Sequence, residues 1–357
     1  MGTMHCRDDN SFARNHWYLA AWLKDLPDVE RRLVCGIPIV LVKTDTGQPF
    51  ALKDWCPHRG VPLSLGRLID GAIECPYHGL RFDRTGRCVF NPHVRGDPGT
   101  LRAARFPTRI HQGGLWVWPG DPVLAETRTP PAYPAFDDQS GMTLVAGYLH
   151  IKANVQLIID NLLDLSHAQY IHAGTIGTKD SADHVESRAI NREDGVTVTR
   201  RLCDVEPSNQ WKPIWHKSPR IDQVTDMTFH LPSVLYMETY ITVPGGTADD
   251  GFRMPFMHIL TPETERSTHY HFLSARNFLT DDVKRSTTIK DTTLKAFSTE
   301  DAPILEAIQR NIDAIGAEQS FANFTPGDAG SRRARKLVAE MIKAERMATG
   351  HADETSV

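Results

Sequence analysis

The chain has 357 residues, with forty Lys and Arg against forty-four Asp and Glu and a formal net charge of −4. Single hydrophobic cores stop growing near ~250–300 residues, so two domains are expected, and the slightly acidic balance supplies no basic field for nucleic acid or an anionic membrane. Cys6, Cys35, Cys56, Cys75, Cys88 and Cys203 show no paired disulfide spacing, the polar start has no signal-like apolar segment, and no apolar run approaches the ~20 residues of a membrane span. A soluble protein of a reducing, cytoplasmic compartment with a small substrate is expected.

In chain order, residues 12–22 are rich in aromatic residues and read as a packing segment. Residues 33–42 are rich in β-branched residues, Thr44-Asp45-Thr46-Gly47 is a turn, and a further strand begins at Pro49, which makes a meander. It leads into Cys56-Pro57-His58-Arg59 and, after sixteen residues from His58, Cys75-Pro76-Tyr77-His78-Gly79. Zinc fingers keep their cysteines together and their histidines together; here the two types interleave. Two tips that each offer one thiolate and one imidazole suit a [2Fe–2S] cluster with Cys on one iron and His on the other. Gly60, Gly66, Gly71 and Gly79 let the backbone turn closely around such a group. Cys88 lies on a strand after Gly86 and reads as a small core residue. The strands end near 115–122. A Pro-rich connector over 126–140 then separates a first domain, 12–125, from a second, 141–347, with a polar tail at 348–357.

Cys56-Pro57-His58-Arg59 and Cys75-Pro76-Tyr77-His78-Gly79 resemble the two ligand motifs of Rieske iron–sulfur proteins. The same centre serves small ferredoxins, respiratory subunits and the oxygenase components of Rieske non-haem iron oxygenases, so the second region has to decide. Its expected strands are Thr143–Ile151 and residues 195–202, 228–235, 237–243, 258–261 and 269–275; their apolar/polar alternation favours an antiparallel sheet. Residues 208–224 read as a loop, and 281–315 and 331–347 as helices. The fold class is therefore α+β, an N-terminal all-β domain followed by an antiparallel sheet flanked by helices.

Asn161, Asp164 and His167 recur at i, i+3 and i+6 and are expected on one helix face. His172 follows five residues after His167, a rotation of about 140° on an ideal helix, so the helix must bend or end, with Gly174 beyond it, for both imidazoles to meet one ion. Two imidazoles and a carboxylate with open positions form the facial triad of non-haem Fe(II) oxygenases. Spacing leaves the carboxylate open among Asp291, Glu300, Asp301 and Glu306.

Asp164-x-x-His167-x-x-x-x-His172 is similar to the iron motif of Rieske oxygenase α subunits, and residues 12–345 resemble the vanillate and dicamba O-demethylase subfamily. The resemblance implies Asp301 as third ligand; Pro303, with no N–H and a clashing ring, is expected to kink the turn that holds it. It implies that Asp164 links His78 of one subunit to His167 of the next in a head-to-tail trimer; Asn161, on the same expected face as Asp164, is expected with it at the catalytic centre. It also implies His258 as a substrate contact, with Glu238 and Thr292 where the dicamba-type enzymes carry Asn and Trp. A carboxylate at 238 facing an apolar pocket would favour an N–H substrate.

The implied protein is the terminal oxygenase of a multicomponent monooxygenase. It would use dioxygen and NAD(P)H electrons delivered by a separate reductase, with or without a ferredoxin, because the chain has no Rossmann or flavin motif. The implied reaction is O- or N-dealkylation of a small aromatic compound; hydroxylation without dealkylation and pure electron transfer are the alternatives.

Overall fold

The computed structural model describes residues 11–44, 47–177, 185–316 and 325–348. Cys6, the Asp45 and Thr46 positions of the expected turn, and the tail beyond 348 lie outside them. The chain divides into two compact units, one of Met1–Pro130 with Thr261–Thr264 and Glu345–Val357, the other of Pro131–Leu260 with Glu265–Ala344.

The first unit is all-β. Strands β1 (Tyr18–Trp22), β2 (Val29–Val34), β3 (Ile37–Val42), β4 (Phe50–Lys53), β5 (Arg67–Ile69), β6 (Ala72–Glu74), β7 (Arg81–Phe82), β8 (Cys88–Phe90), β9 (Arg105–Phe106), β10 (Thr108–His111) and β11 (Gly114–Val117) form three sheets. Their orders are β1-β11-β10, β2-β3-β4-β9 and β5-β6-β7-β8. Phe12, Trp17 and Trp22 of the aromatic N-terminal segment are buried, as packing residues should be. Val40, Leu52, Ile73 and Phe82 close a core that also contains the thiols of Cys56, Cys75 and Cys88.

The second unit is built on one eight-stranded sheet. Its strands are β12 (Thr143–Ile151), β13 (Val185–Asn191), β14 (Gly195–Val205), β15 (Ile221–His230), β16 (Val234–Thr242), β17 (Phe252–Arg253), β18 (Phe256–Thr264) and β19 (Ser267–Arg276). The order is β12-β19-β18-β16-β15-β14-β13, with β17 on β16. The predicted strand over 228–235 is corrected, because β15 stops at His230 and β16 begins at Val234 around Pro232, a residue without the N–H a central ladder needs. The predicted loop over 208–224 likewise gives up its last residues to β15, which starts at Ile221.

Helices α1 (Val155–Leu163), α2 (Ala168–Ile171), α3 (Val283–Lys295), α4 (Ala302–Ile315) and α5 (Ala329–Ala348) accompany the sheet. Asn154 caps α1 by accepting from the Gln156 N–H. The apolar side of α1, with Leu157, Ile158, Leu162 and Leu163, shares a core with Phe229, Phe272, Phe297 and Leu305. The half-buried pair between Asp160 and Arg335 ties α1 to α5.

Between α3 and α4 the chain makes a π-helical stretch, Ala296–Asp301, where the Ala302 N–H reaches back to the Phe297 carbonyl. Pro303 was expected to kink this region. It sits in the first turn of α4, directly after the π-helical stretch, so the turn holding Asp301 departs from a regular α-helix; a ring without an N–H that clashes with the carbonyl four residues back is accommodated by the larger turn.

Candidate metal centres and substrate cavity

The two tips of the first unit are built alike. The Cys56 N–H bonds the Val61 carbonyl at 2.8 Å and the Gly60 N–H returns to the Cys56 carbonyl at 2.8 Å; the Cys75 N–H bonds Leu80 and the Gly79 N–H returns to Cys75, at 2.8 and 3.0 Å. Both loops close on a glycine in the left-handed region, Gly60 at φ 74° and Gly79 at φ 69°. A Cβ on Gly60 would lie 2.5 Å from the Trp55 ring, so a side chain there would have to displace that ring as well as adopt a strained backbone. Buried Asp54 braces the first tip, accepting from the Ser64 N–H and Oγ, each at 2.7 Å, and from Arg31 Nε at 3.1 Å.

This symmetry sends two thiols inward and two imidazoles outward. Cys56 and Cys75 are buried, His58 is exposed and His78 half-buried, and the two rings stand 4.6 Å apart. Burial, reinforced by the Cys75 thiol, pushes the Cys56 thiol up to about 11, while the His58 and Arg59 N–H groups facing its sulfur favour the thiolate. Adjacent buried thiols with amide donors aimed at sulfur, and two neighbouring imidazoles at the surface, fit a cluster with one thiolate-bound and one imidazole-bound iron. Cys88 takes no part; its Sγ lies 3.4 Å from the Phe90 carbonyl.

In the second unit the structure brings His167, His172 and Asp301 together, with one ligand atom from each within 4.8 Å of the others. The expectation that Asn161, Asp164 and His167 share a helix face is corrected. Helix α1 ends at Leu163, Asp164 is its C-cap at ψ 86°, and His167 begins the separate turn α2. The break solves the rotation between the two histidines. Gly177, rather than Gly174, permits the close return, since a Cβ there would lie 2.2 Å from the Ala168 carbonyl.

The π-helical turn lets consecutive carboxylates serve one imidazole. The Nδ1 of His172 pairs with Glu300 Oε2 at 2.6 Å, and its Nε2 lies 3.2 Å from Asp301 Oδ2. Thr175 Oγ1 donates to the same Glu300 oxygen at 2.7 Å. The Nδ1 of His167 is held by the main-chain carbonyl of Asp164, and its Nε2 lies 3.7 Å from Asp301 Oδ1. Asn161 Nδ2 donates to Asp301 Oδ1 at 3.1 Å.

With both Nδ1 atoms committed as donors to oxygen, both Nε2 lone pairs face a carboxylate whose Oδ2 is buried without a hydrogen bond. Lone pairs opposed in this way repel unless a proton or a metal ion lies between them, and two imidazoles with a carboxylate make a donor set that fits a divalent metal with open positions. Burial lowers the pKa of His167 and so favours the neutral ring a metal needs. For His172 burial acts in the same direction, but Asp301 and Glu300 outweigh it and raise the pKa. The Asp164 carboxylate accepts from the Ser166 N–H and Oγ through Oδ1 and does not hold His167 itself.

A cavity opens beside the two histidines. Its lining includes Leu162, Trp211, Met227, Met237, Phe256, His258 and Phe297. His258 is buried, its pKa lowered by burial to about 3, so the ring is neutral. Its Nδ1 meets Tyr270 Oη at 2.5 Å, and its Nε2 is buried without a partner.

Glu238 and Thr292 are not brought to this cavity; Met237, Thr239 and Thr293 are. The Glu238 carboxylate is occupied by Arg253 Nε and Nη2, each at 3.1 Å, and by the Tyr236 hydroxyl at 2.6 Å. One residue along a strand reverses the face, and one along a helix turns it by ~100°. In the sequence Glu300 is legible only as an alternative ligand, and no local pattern marks Tyr270 or Gln223, whose surroundings come from other strands.

Residues 16–107 match the family described as Rieske [2Fe-2S] domain, and residues 151–344 the family described as vanillate O-demethylase oxygenase C-terminal domain. The oxygenase component of chloroacetanilide N-alkylformylase from Rhizorhabdus wittichii is 35% identical over 95% of this chain and 97% of the relative. The oxygenase component of dicamba O-demethylase from Stenotrophomonas maltophilia is 36% identical over 84% of this chain and 89% of the relative. A crystal structure of dicamba monooxygenase bound to 3,6-dichlorosalicylic acid superposes with a TM-score of 0.88 at 33% identity, covering 94% of this chain and 98% of that one. Symmetric Cys/His tips and a His/His/Asp centre beside an apolar cavity agree with those likenesses, and the chain belongs to the Rieske non-haem iron monooxygenases as an oxygenase component of the vanillate and dicamba O-demethylase type.

Proposed function

We propose that the chain removes an alkyl group from the O or N of a small aromatic compound. Cys56, His58, Cys75 and His78 would hold the [2Fe–2S] cluster, and His167, His172 and Asp301 the ferrous ion. Bound there, the cluster supplies single electrons and the ferrous ion a centre for dioxygen activation. A hydroxyl delivered to the carbon next to O or N gives a hemiacetal or hemiaminal, which breaks to an aldehyde and the free phenol or amine. The observation that carries the reading is a largely apolar cavity that borders both His167 and His172 and offers His258 Nε2 as an unpartnered polar atom. The relatives that act on chloroacetanilide and dicamba support it.

The chain's own residues then position and exclude. His258 orients a substrate oxygen, Phe256 and Phe297 flank it at ring distances of 4.5 and 5.9 Å, and the apolar lining keeps bulk water from the reacting carbon. Asn161 holds Asp301. Asp164 presents a second carboxylate oxygen with no hydrogen bond among the described residues, suited to a histidine of another copy, His78, in a head-to-tail trimer. A reductase, with or without a ferredoxin, would deliver NAD(P)H electrons in the cytoplasm. No described helix is long and apolar enough to cross a membrane.

The test supplies reductase, NADH and dioxygen, screens methoxy- and N-alkyl aromatics, and assays released aldehyde and iron per chain. About three irons and stoichiometric aldehyde are expected. A hydroxylated product that keeps its alkyl group would overturn dealkylation, and about two irons without turnover would leave an electron carrier.

A further inference from the structure

Among the described residues that line the cavity, two have a buried side-chain polar atom with no hydrogen-bond partner: Nε2 of His258 and Oε1 of Gln223. The hydroxyls between them are satisfied, because Thr239 Oγ1 donates to the Val224 carbonyl at 3.1 Å and pairs with Thr225 Oγ1 at 3.2 Å. Gln169, Arg200 and Gln210 also line the cavity, but none has a buried side-chain polar atom without a partner, so the unmet acceptor of Gln223 is the costly one unless a ligand fills it.

The strand register shows that the two are far apart. His258 on β18 is level with Leu235 of β16, and Gln223 on β15 is level with Ile241 of β16. Six residue positions at ~3.3 Å each make about 20 Å between backbones, before two side chains reach inward. One aromatic ring cannot touch both. His258 stands at the metal end, since its ring lies 5.9 Å from that of Phe297, on the same π-helical turn as Asp301. Gln223 therefore marks the far end.

Their hydrogen-bonding roles differ. The only described partner of the buried Tyr270 hydroxyl is His258 Nδ1, so the hydroxyl must donate there or be left with an unused proton. His258 then keeps its proton on Nε2 and is a donor, whereas the carbonyl of Gln223 is an acceptor.

We propose that Gln223 is a specificity-determining residue that accepts a polar hydrogen from the end of the substrate remote from the alkyl group. The substrate class is an elongated aromatic compound with an acceptor oxygen near the alkyl carbon and an N–H or O–H at the opposite end. The proposal rests on the dealkylation reading for which end reacts, but its test does not need turnover. The probes are a methoxybiphenyl with a hydroxyl at the opposite end and the same compound without it. Their dissociation constants are measured by anaerobic calorimetry on the iron-loaded protein, wild type and Gln223→Leu.

Wild type should bind the hydroxylated probe about tenfold more tightly, and Gln223→Leu should bring the ratio to about one while holding the plain probe as well as wild type does. Gln223→Glu, a stronger acceptor of the same length, should keep the preference for the hydroxylated probe. An equal ratio in wild type, or a preference that survives in Gln223→Leu, overturns the assignment. Aldehyde release from the plain probe is scored separately, so that failure of dealkylation and failure of the Gln223 assignment are told apart.

Discussion

The two metal centres are assembled in opposite ways. The tips of the first unit put all four proposed cluster donors within Cys56 to His78, on two loops with the same hydrogen bonds and the same left-handed glycine. The His/His/Asp centre joins a helix break after Leu163 to a π-helical turn that ends at Asp301. A locally repeated loop fixes its donors by its own backbone. A centre assembled across long sequence separation depends on residues that hold each donor, here Glu300 for His172, the Asp164 carbonyl for His167 and Asn161 for Asp301. Damage to a donor should thus be confined to its own centre, and damage to a holder should matter chiefly at the assembled one.

The largest effect is expected from Asp301→Ala. Iron per chain should fall from about three to about two, turnover should drop to background, and the cluster's EPR spectrum should be unchanged. An altered cluster spectrum would show that the centres do not behave independently. The reciprocal variant, His58→Cys, should keep the mononuclear iron and lower the cluster potential by on the order of 100 mV or more, because a thiolate adds negative charge. An unchanged potential in a variant that retains its cluster would remove His58 from the ligand set.

Glu300→Gln addresses the holders. The Glu300 carboxylate accepts from His172 Nδ1 and so sets the tautomer and basicity of the ring. Losing the charge should weaken mononuclear-iron retention about tenfold, within the ~10–100-fold range of such partners, as read by competition with a chelator. Iron held as firmly as in wild type would make Glu300 a bystander.

How much could be read from sequence follows from the same contrast. The Cys/His pairs were legible because ligand order and loop glycines are local. His167 and His172 were legible as a pair, but the face argument assumed a continuous helix, and the chain instead breaks at Asp164. Asp301 was selected by family likeness, since Asp291, Glu300 and Glu306 fit the same helical stretch. The π-helical turn that distinguishes Glu300 from Asp301 lies directly before Pro303, and such a single widened turn has no periodic signal. An antiparallel sheet was legible, but β13 and β17 were not. Strand ends around Pro232 and side-chain parity at 238 were not, because a shift of one residue inverts inside and outside.

Acid sensitivity gives a smaller test at the cavity. Burial lowers the His258 pKa from 6.5 to about 3. The unfolded chain therefore binds a proton below about pH 6.5 that the fold refuses, so stability is full above that value and falls as the pH drops toward 3. Between pH 7 and pH 5 wild type should lose roughly 2 kcal/mol more than His258→Asn, measured by urea unfolding at both values. Equal losses would mean that the ring is solvated and cannot act as a buried donor.

The smallest effect is expected at Glu238, and it separates a residue near the cavity in sequence from one that lines it. Met237 and Thr239 point inward from β16, so the intervening side chain points away, and Arg253 and Tyr236 already satisfy its carboxylate. The pair is half-exposed, and such ion pairs contribute about 0–1 kcal/mol. Glu238→Gln should therefore change kcat/KM on matched N-methyl and O-methyl substrates by less than about twofold and by the same factor on both. Thr239→Val, which replaces an inward hydroxyl with a methyl at nearly constant size, should change KM on the same pair. A selective loss on the N–H-bearing member in Glu238→Gln would return this carboxylate to the cavity and reverse the strand parity on which the placement of Met237, Thr239 and Gln223 depends.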